Sequence, residues 1–101
     1  MNYVSCIIQI VEISTIELYQ NTNIPVVQLQ TQLPYLRNKH QSPIIIQSNV
    51  WGDLAYDVAN YYRVNDYILI EGYLALSFHE QIRQQIITIN VTKLYPFLFV
   101  L

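Results

Sequence analysis

The chain has 101 residues, which allows one domain with a single core and no second domain. Hydrophobic residues make up 52% of it and charged residues only 12%, a balance that excludes a disordered chain. The formal net charge is −2, so no broad electropositive surface is expected. Cys6 is the one cysteine, which excludes an intramolecular disulfide framework and a multi-cysteine zinc site.

Three strands are predicted in the first half of the chain, where apolar and polar residues alternate. The first covers about Val4–Ile13. The second covers Val26–Leu33, with glutamine at every second position from 28 to 32. The third, Ile44–Trp51, begins as a run of isoleucines. Pro25 and Pro43 precede the second and third strands, at edges where a missing N–H does not interrupt a hydrogen-bond ladder.

A short helix of about ten residues is predicted between Trp51 and Tyr67. Apolar residues recur there every three to four positions, which is the spacing of one helical face. Asp53 precedes this segment as a predicted N-cap, and Asn65 follows it, a residue type that tolerates the left-handed conformation common after helices. The apolar positions are Leu54, Ala55, Val58, Ala59 and Tyr62.

Two more strands, about Tyr67–Leu76 and Gln84–Tyr95, complete the chain. Gly72 lies inside the first of them, where a glycine marks a bend or a bulge. Three strands, one helix and two strands follow the order of the OB-fold, a five-stranded Greek-key barrel with its helix between strands three and four. We therefore predict an all-β OB-fold barrel with one short helix, formed by a single domain over residues 1–101. An open meander with a helix is the competing architecture.

One motif covers the end of the third strand, the helix and the fourth strand. Its three stretches are Trp51-Gly52-Asp53-Leu54-Ala55, Val58-Ala59-Asn60-Tyr61 and Ile70-Glu71-Gly72-Tyr73-Leu74. Their sequence and spacing resemble those of the bacterial and organellar single-stranded-DNA-binding protein (SSB) family. The resemblance implies an OB-fold, sequence-independent binding of single-stranded DNA in replication, recombination or repair, and a homo-oligomer, either dimer or tetramer. Size and composition resemble the small members encoded in algal plastid genomes, which implies the plastid stroma, with the bacterial cytoplasm as the alternative.

The first candidate binding residues lie on the third strand. Binding a single strand requires flat aromatic faces for the bases and cations along the backbone path. Trp51 stands at the family position of a stacking aromatic residue. Strand alternation places Gln47 and Asn49 on the same face, where their amides can donate hydrogen bonds to phosphates or base edges. In the alternative interpretation, Trp51 caps the barrel core or supports the helix.

Two loops supply the remaining candidates. Between the second and third strands, Tyr35 is a candidate stacking platform, and Arg37 and Lys39 are candidate phosphate contacts. Between the fourth and fifth strands, Phe78 is a candidate platform and Arg83 a candidate phosphate contact. The structural alternatives are a solvated loop in the first case and a tight hairpin with one packed aromatic residue in the second.

A second function is compatible with the same barrel: an interaction subunit that has lost most of its affinity for nucleic acid. Its support is the acidic charge balance, Asp53 at a position that is usually basic in the family, and a shortened loop between the fourth and fifth strands. RNA is an alternative ligand to DNA, because stacking does not inspect the sugar.

Catalytic chemistry is not expected. His40 and His79 are the two histidines, and neither has a carboxylate or a cysteine at a metal-ligand or triad spacing. We expect no cofactor, no metal, no small-molecule substrate and no membrane span. The apolar segment 96–101, which includes Phe97 to Leu101, is expected either at an oligomer interface or against the open end of the barrel.

Overall fold

The computed structural model describes residues 2–33, 44–79 and 83–97 of the chain. Its elements in chain order are β1 (Tyr3–Ile13), β2 (Glu17–Leu18), β3 (Pro25–Gln32), β4 (Ile45–Trp51), α1 (Asp53–Tyr61), β5 (Tyr67–His79) and β6 (Gln84–Pro96).

The five long strands close into a barrel. β1 pairs with β5 over Tyr3–Gln9 and with β3 over Gln9–Ile13, in both cases antiparallel. β3 pairs with β4, and β5 with β6, also antiparallel. β4 and β6 close the ring as parallel neighbours, with Ile46–Val50 beside Ile87–Val91. An open meander has no such pair, so the OB-fold prediction is confirmed, with the helix after the third long strand as expected.

Alternation predicted the long strands well. The predicted limits agree with the observed ones to within one residue, except at the end of β5, where they differ by three. The short strand β2 was not predicted, because its two residues are exposed and too few to show a period. It pairs with Val26 and Pro25 at the beginning of β3 and forms a hairpin with it.

The core is built from one face of each long strand and one face of α1. Burial of these apolar side chains is the main favourable term in folding. Alternation along β5 would place Leu76 on the same side as the buried Ile68 and Ile70, but Leu76 is 65% exposed near the end of the strand. The buried cluster consists of Ile8, Ile10, Val27, Leu29, Ile46, Val50, Ala55, Val58, Ile68, Ile70, Ile89, Val91 and Leu94.

Cys6 packs against this cluster as a small, partly buried apolar side chain. The thiol is half-buried, and its burial raises the pKa above its ordinary value of 9.0. The thiolate is therefore disfavoured in the folded protein.

Two hydroxyl side chains, Thr31 and Ser48, are fully buried beside the apolar cluster. The Thr31 hydroxyl donates to the Ile46 carbonyl oxygen at 2.6 Å. Its oxygen lies 3.5 Å from Ser48 Oγ. Because the single proton of Thr31 is used on Ile46, Ser48 must be the donor in the second contact.

Gly72 marks a β-bulge, as predicted. The register between β5 and β6 shifts between Glu71 and Gly72. A Cβ atom at Gly72 would lie 2.2 Å from the carbonyl oxygen of Asn90, which is a backbone atom and cannot turn aside. Glycine is therefore required for the two strands to approach here.

The helix begins differently from the prediction. Gly52, with φ of 70°, is the N-cap residue, and no side chain caps the helix. Asp53 is the first residue of α1, so its prediction as the N-cap was wrong. Its carboxylate lies in the first turn, where negative charge interacts favourably with the helix dipole.

The other end of α1 follows the prediction in part. Asn65 adopts a φ of 79°, as its residue type suggested. It lies in the turn after the helix rather than directly at its end, since Tyr62 is the C-cap. The Asn65 N–H donates to the Ile10 carbonyl oxygen at 2.8 Å, which ties this turn to β1. The described helix is too short and too polar to cross a membrane.

Candidate nucleic-acid interface

The outer face of β3, β4 and β6 is a polar surface that we call the amide face. On β4, Ile46, Ser48 and Val50 are buried, so the alternate residues lie on the outside. Strand register sets amide side chains next to one another across the three strands. The side chains that define the amide face are Gln28, Gln30, Gln47, Asn49 and Asn90.

Trp51 lies at the edge of the amide face, on the opposite side of β4 from the core. Its side chain is half-buried and does not belong to the buried cluster. The rings of Trp51 and Tyr19 form a T-shaped contact, with centroids 4.9 Å apart and planes at 70°. This geometry fits the outward interpretation of Trp51 and does not fit the one in which it caps the core.

Hydrogen bonds connect the amide face to the indole. Gln47 Nε2 donates to Asn49 Oδ1 at 3.3 Å, and Asn49 Nδ2 donates to Asn90 Oδ1 at 3.4 Å. The same Asn90 oxygen accepts from Trp51 Nε1 at 3.4 Å. Asn90 therefore orients both the indole and the neighbouring amide, and each amide N carries a second N–H for other acceptors.

Sequence reasoning missed Asn90 and Tyr19 as parts of this site. Alternation with Ile89 and Val91 put Asn90 on the outer side of its strand. Alternation could not predict the parallel register of β4 and β6. This register places Asn90 beside Asn49, which lies 41 residues earlier in the chain. Tyr19 follows the two-residue strand β2, which is too short to show a periodicity in the sequence.

The other predicted site residues are not brought together with Trp51 by the described structure. Tyr35, Arg37 and Lys39 lie outside the described residues. The Phe78 backbone belongs to β5, opposite Gln85, but its side chain lies outside the described part of the chain.

Arg83 is exposed in the turn that joins β5 to β6, with φ of 53°. It precedes Asn90 by seven residues, which corresponds to about 23 Å along an extended strand. About half of β6 therefore separates the Arg83 backbone from Asn90, the residue that orients the indole.

The amide face carries no formal charge. Its described side chains are amides, and Thr88 lies beside Gln47 in the register. Asp53 is the nearest acidic residue to Trp51 along the chain, two positions later. Among the residues that the structure describes, no group of three His, Cys, Asp or Glu side chains could hold a metal ion.

A diatom protein is the relative that decides the family. Over 103 aligned positions the chain is 35% identical to the "Putative single-stranded DNA-binding protein ycf41" of Trieres chinensis. The alignment covers 97% of this chain and 90% of that protein. The chain belongs to the single-stranded DNA-binding protein family. No protein-family model matches it.

Solved structures share the fold of this family member. The SSB domain of a Synechococcus protein superposes with a TM-score of 0.74 and 23% identity, covering 94% of each chain. The PriB protein of Ralstonia solanacearum superposes with a TM-score of 0.70 and 15% identity, covering 96% of this chain and 99% of that one. At such identities the likeness establishes the OB-fold architecture.

The family motif now has a structural location in this SSB-family chain. Trp51 ends β4, Gly52 begins the helix, and Gly72 forms the bulge of β5. The two glycines thus hold backbone positions that other residues cannot adopt without strain or collision. Trp51 is half-buried on the outer side of β4, beside the amide face.

Proposed function

We propose that the chain binds single-stranded DNA without sequence preference, through the amide face and Trp51, and acts in replication, recombination or repair rather than as an enzyme. The observation that carries the proposal is the half-buried indole, which lies outside the core and is oriented by Asn90. Membership in the family supports the same ligand.

The chemistry of this surface suits an unpaired strand. A base stacked on an aromatic side chain contributes about 1–3 kcal/mol, and every base has a π-face, so the contact tolerates any sequence. Amide N–H groups of Gln47 and Asn49 donate to phosphate oxygens or base edges, while amide oxygens accept from bases.

Phosphate contacts and further stacking come from residues beyond the amide face. Arg37, Lys39 and Arg83 are the proposed phosphate contacts, with Tyr35 and Phe78 as additional platforms. These five assignments rest on the family resemblance and on residue type. An alanine variant of each residue, with its Kd measured for the same DNA, tests each assignment individually.

Binding to labelled oligo-dT at low salt tests the proposal, with fluorescence anisotropy as the measurement. Trp51→Ala is expected to raise Kd by about 5- to 150-fold, the equivalent of one lost stacking contact. Trp51→Phe should recover part of the loss, because phenylalanine also presents a flat ring. Tyr56→Ala is the matched control: Tyr56 is an exposed aromatic residue on α1 and should leave Kd unchanged. Wild-type protein that shows no binding at low salt contradicts the proposal.

A specific observation favours a second candidate, the interaction subunit with little affinity for nucleic acid. The amide face carries no formal charge, and Asp53 follows Trp51 by two positions in the chain. Retention on single-stranded-DNA resin separates the two functions, because a pure interaction subunit flows through at low salt. Parallel titrations with oligo-dT and oligo-U decide between DNA and RNA.

We also infer a homo-oligomer, either dimer or tetramer. Over Tyr3–Ile8, β1 pairs with β5 along one edge, and no described strand pairs with its other edge. An unpaired strand edge is a template for pairing with another chain. The outer sides of β1 and β5 carry the partly exposed apolar residues Ile7 and Leu69. In the segment 96–101, Phe97 is half-buried, and residues 98–101 lie outside the described part.

Sedimentation tests both the assembly and the role of this segment. Removal of residues 98–101 should convert an oligomer to monomers if the segment lies at the interface. An unchanged sedimentation profile would instead place the interface elsewhere.

We assign the protein to the plastid stroma, with the bacterial cytoplasm as the alternative. The support is the resemblance to small plastid-encoded members and the identity to the diatom protein. Immunoblotting of purified plastids against whole-cell fractions tests the assignment.

A further inference from the structure

A cleft opens at the carboxyl end of α1, away from the amide face. It lies between the helix end, the turn that follows it, the beginning of β5 and the end of β6. Its volume is about 260 Å³. The residues that line it are Tyr61, Tyr62, Asp66, Tyr67, Pro96 and Phe97.

Backbone hydrogen bonds hold the walls of this cleft in place. Asp66 Oδ2 accepts from the Arg63 N–H at 2.8 Å, and the Asp66 N–H donates to the Arg63 carbonyl oxygen at 3.0 Å. The Phe97 N–H donates to the Tyr67 carbonyl oxygen at 3.0 Å, which joins the two strands at the cleft. These bonds fix the backbone on two sides of the cleft, so a ligand does not have to order that backbone.

The lining combines aromatic rings with negative charge. Tyr61 is 77% exposed, an unusual position for a large ring. Burial raises the pKa of the Tyr62 hydroxyl, and the carboxylates of Asp57 and Asp66 raise it further. Aromatic faces and carboxylates both attract cations, and arginine binds to the two together because its planar guanidinium stacks on rings and pairs with a carboxylate.

We propose that this cleft binds an arginine side chain from an exposed segment of a partner protein. The guanidinium lies against the tyrosine rings and pairs with Asp66. The methylene stem covers Pro96 and Phe97, which a small free cation would leave uncovered. Of the six residues that line the cleft, Asp66 is the one with a formal charge, and Arg63 is not among them.

This inference is independent of DNA binding. Tyr67 begins β5 at the cleft, and Tyr73 pairs with Asn90 beside the amide face. These positions are six residues apart on one strand, which corresponds to about 20 Å. Loss of one activity therefore leaves the other measurable.

The experiment is a titration of the full chain with N-acetyl-arginine amide. Binding is monitored through the backbone amide chemical shifts in nuclear magnetic resonance spectra. Shifts are expected at Tyr61, Tyr62, Asp66 and Phe97. The citrulline analogue has nearly the same shape without the charge and should bind more weakly, by about two- to fivefold or more.

Two variants and one control locate the site. Tyr61→Ala and Asp66→Asn should each weaken binding by about two- to fivefold. Asp66→Asn keeps an oxygen for the Arg63 N–H, so the turn is preserved, and dispersed spectra confirm the fold. Tyr56→Ala, also on α1 but outside the cleft, should change nothing.

Four outcomes overturn the proposal. Equal binding of citrulline means that charge is not recognised. Shifts confined to other residues, or an equal loss in Tyr56→Ala, mean that the cleft is not the site. Guanidinium ion alone binding as tightly as the arginine amide means a free-cation site rather than a site for a partner's side chain.

Discussion

At the scale of single residues, two glycines are required for different physical reasons. Gly72 is needed because the backbone of the neighbouring strand occupies the place of a Cβ atom, 2.2 Å from the Asn90 carbonyl oxygen. Gly52 has open space around it, but its φ of 70° disfavours any residue with a Cβ atom. One constraint comes from tertiary packing and the other from the local backbone.

Alanine substitution at both sites separates the two constraints. Gly72→Ala should lower the free energy of unfolding by about 3 kcal/mol, because β6 must move to admit the methyl group. Gly52→Ala should lower it by about 1–2 kcal/mol from backbone strain alone. Urea unfolding measures both. A smaller loss for Gly72→Ala than for Gly52→Ala would contradict the bulge geometry.

Asn90 offers a test of the neutral amide face. Asn90→Asp keeps an oxygen that can accept from the Trp51 indole N–H but adds a negative charge. Affinity for oligo-dT should therefore fall by about tenfold at low salt, and the loss should shrink as salt screens the charge.

Asn90→Ala is the control for this charge effect. It removes the acceptor without adding charge, so its loss of affinity should be smaller and nearly independent of salt. If Asn90→Asp binds as well as wild type at low salt, the strand does not pass over this residue.

At the scale of elements, local periodicity was enough to predict most of the secondary structure. Alternation gave the five long strands, and spacing of three and four residues gave α1. The sequence did not predict Gly52 as the N-cap. Its positive φ is set by the path of the chain from β4 into the helix, which local periodicity does not reveal. Thr88 is another example: it alternates like an outward residue yet is only 5% exposed, which its position in the alternation does not predict.

The buried hydroxyl pair between β3 and β4 makes a prediction about these elements. Thr31→Val keeps the shape of the side chain but removes the donor to the Ile46 carbonyl oxygen. The free energy of unfolding should fall by about 1–2 kcal/mol, because a buried acceptor loses its partner. Thr92→Val, at an exposed position on β6, should cost less in the same urea experiment.

A double variant tests whether the Thr31 and Ser48 hydroxyls interact. Thr31→Val with Ser48→Ala should cost less than the sum of the two single changes, because each single change already breaks their shared contact. Strict additivity would show that the two hydroxyls do not interact.

At the scale of the whole molecule, the charge balance limits how DNA binding depends on salt. The chain has five basic residues, and among those the structure describes, none belongs to the amide face. With two to four phosphate contacts, the logarithm of affinity should fall by about 1.5–3 per tenfold rise in salt, since each contact on a single strand contributes about 0.7.

Titrations with oligo-dT at several salt concentrations measure this slope. Arg83→Ala should reduce the slope by about 0.7 if its guanidinium touches a phosphate, whereas Tyr56→Ala should not change it. A wild-type slope much steeper than 3 would require cationic contacts that one chain does not have, and would indicate several subunits on one strand.

The parallel pairing of β4 with β6 also has a consequence for biosynthesis. Ile46–Val50 leave the ribosome about 40 residues before Ile87–Val91, the segment that completes their hydrogen bonds. Until β6 is synthesised, the edge of β4 that pairs with it has no partner strand within the nascent chain. Translation speed and chaperone supply should therefore influence the yield of this small protein more than its size suggests.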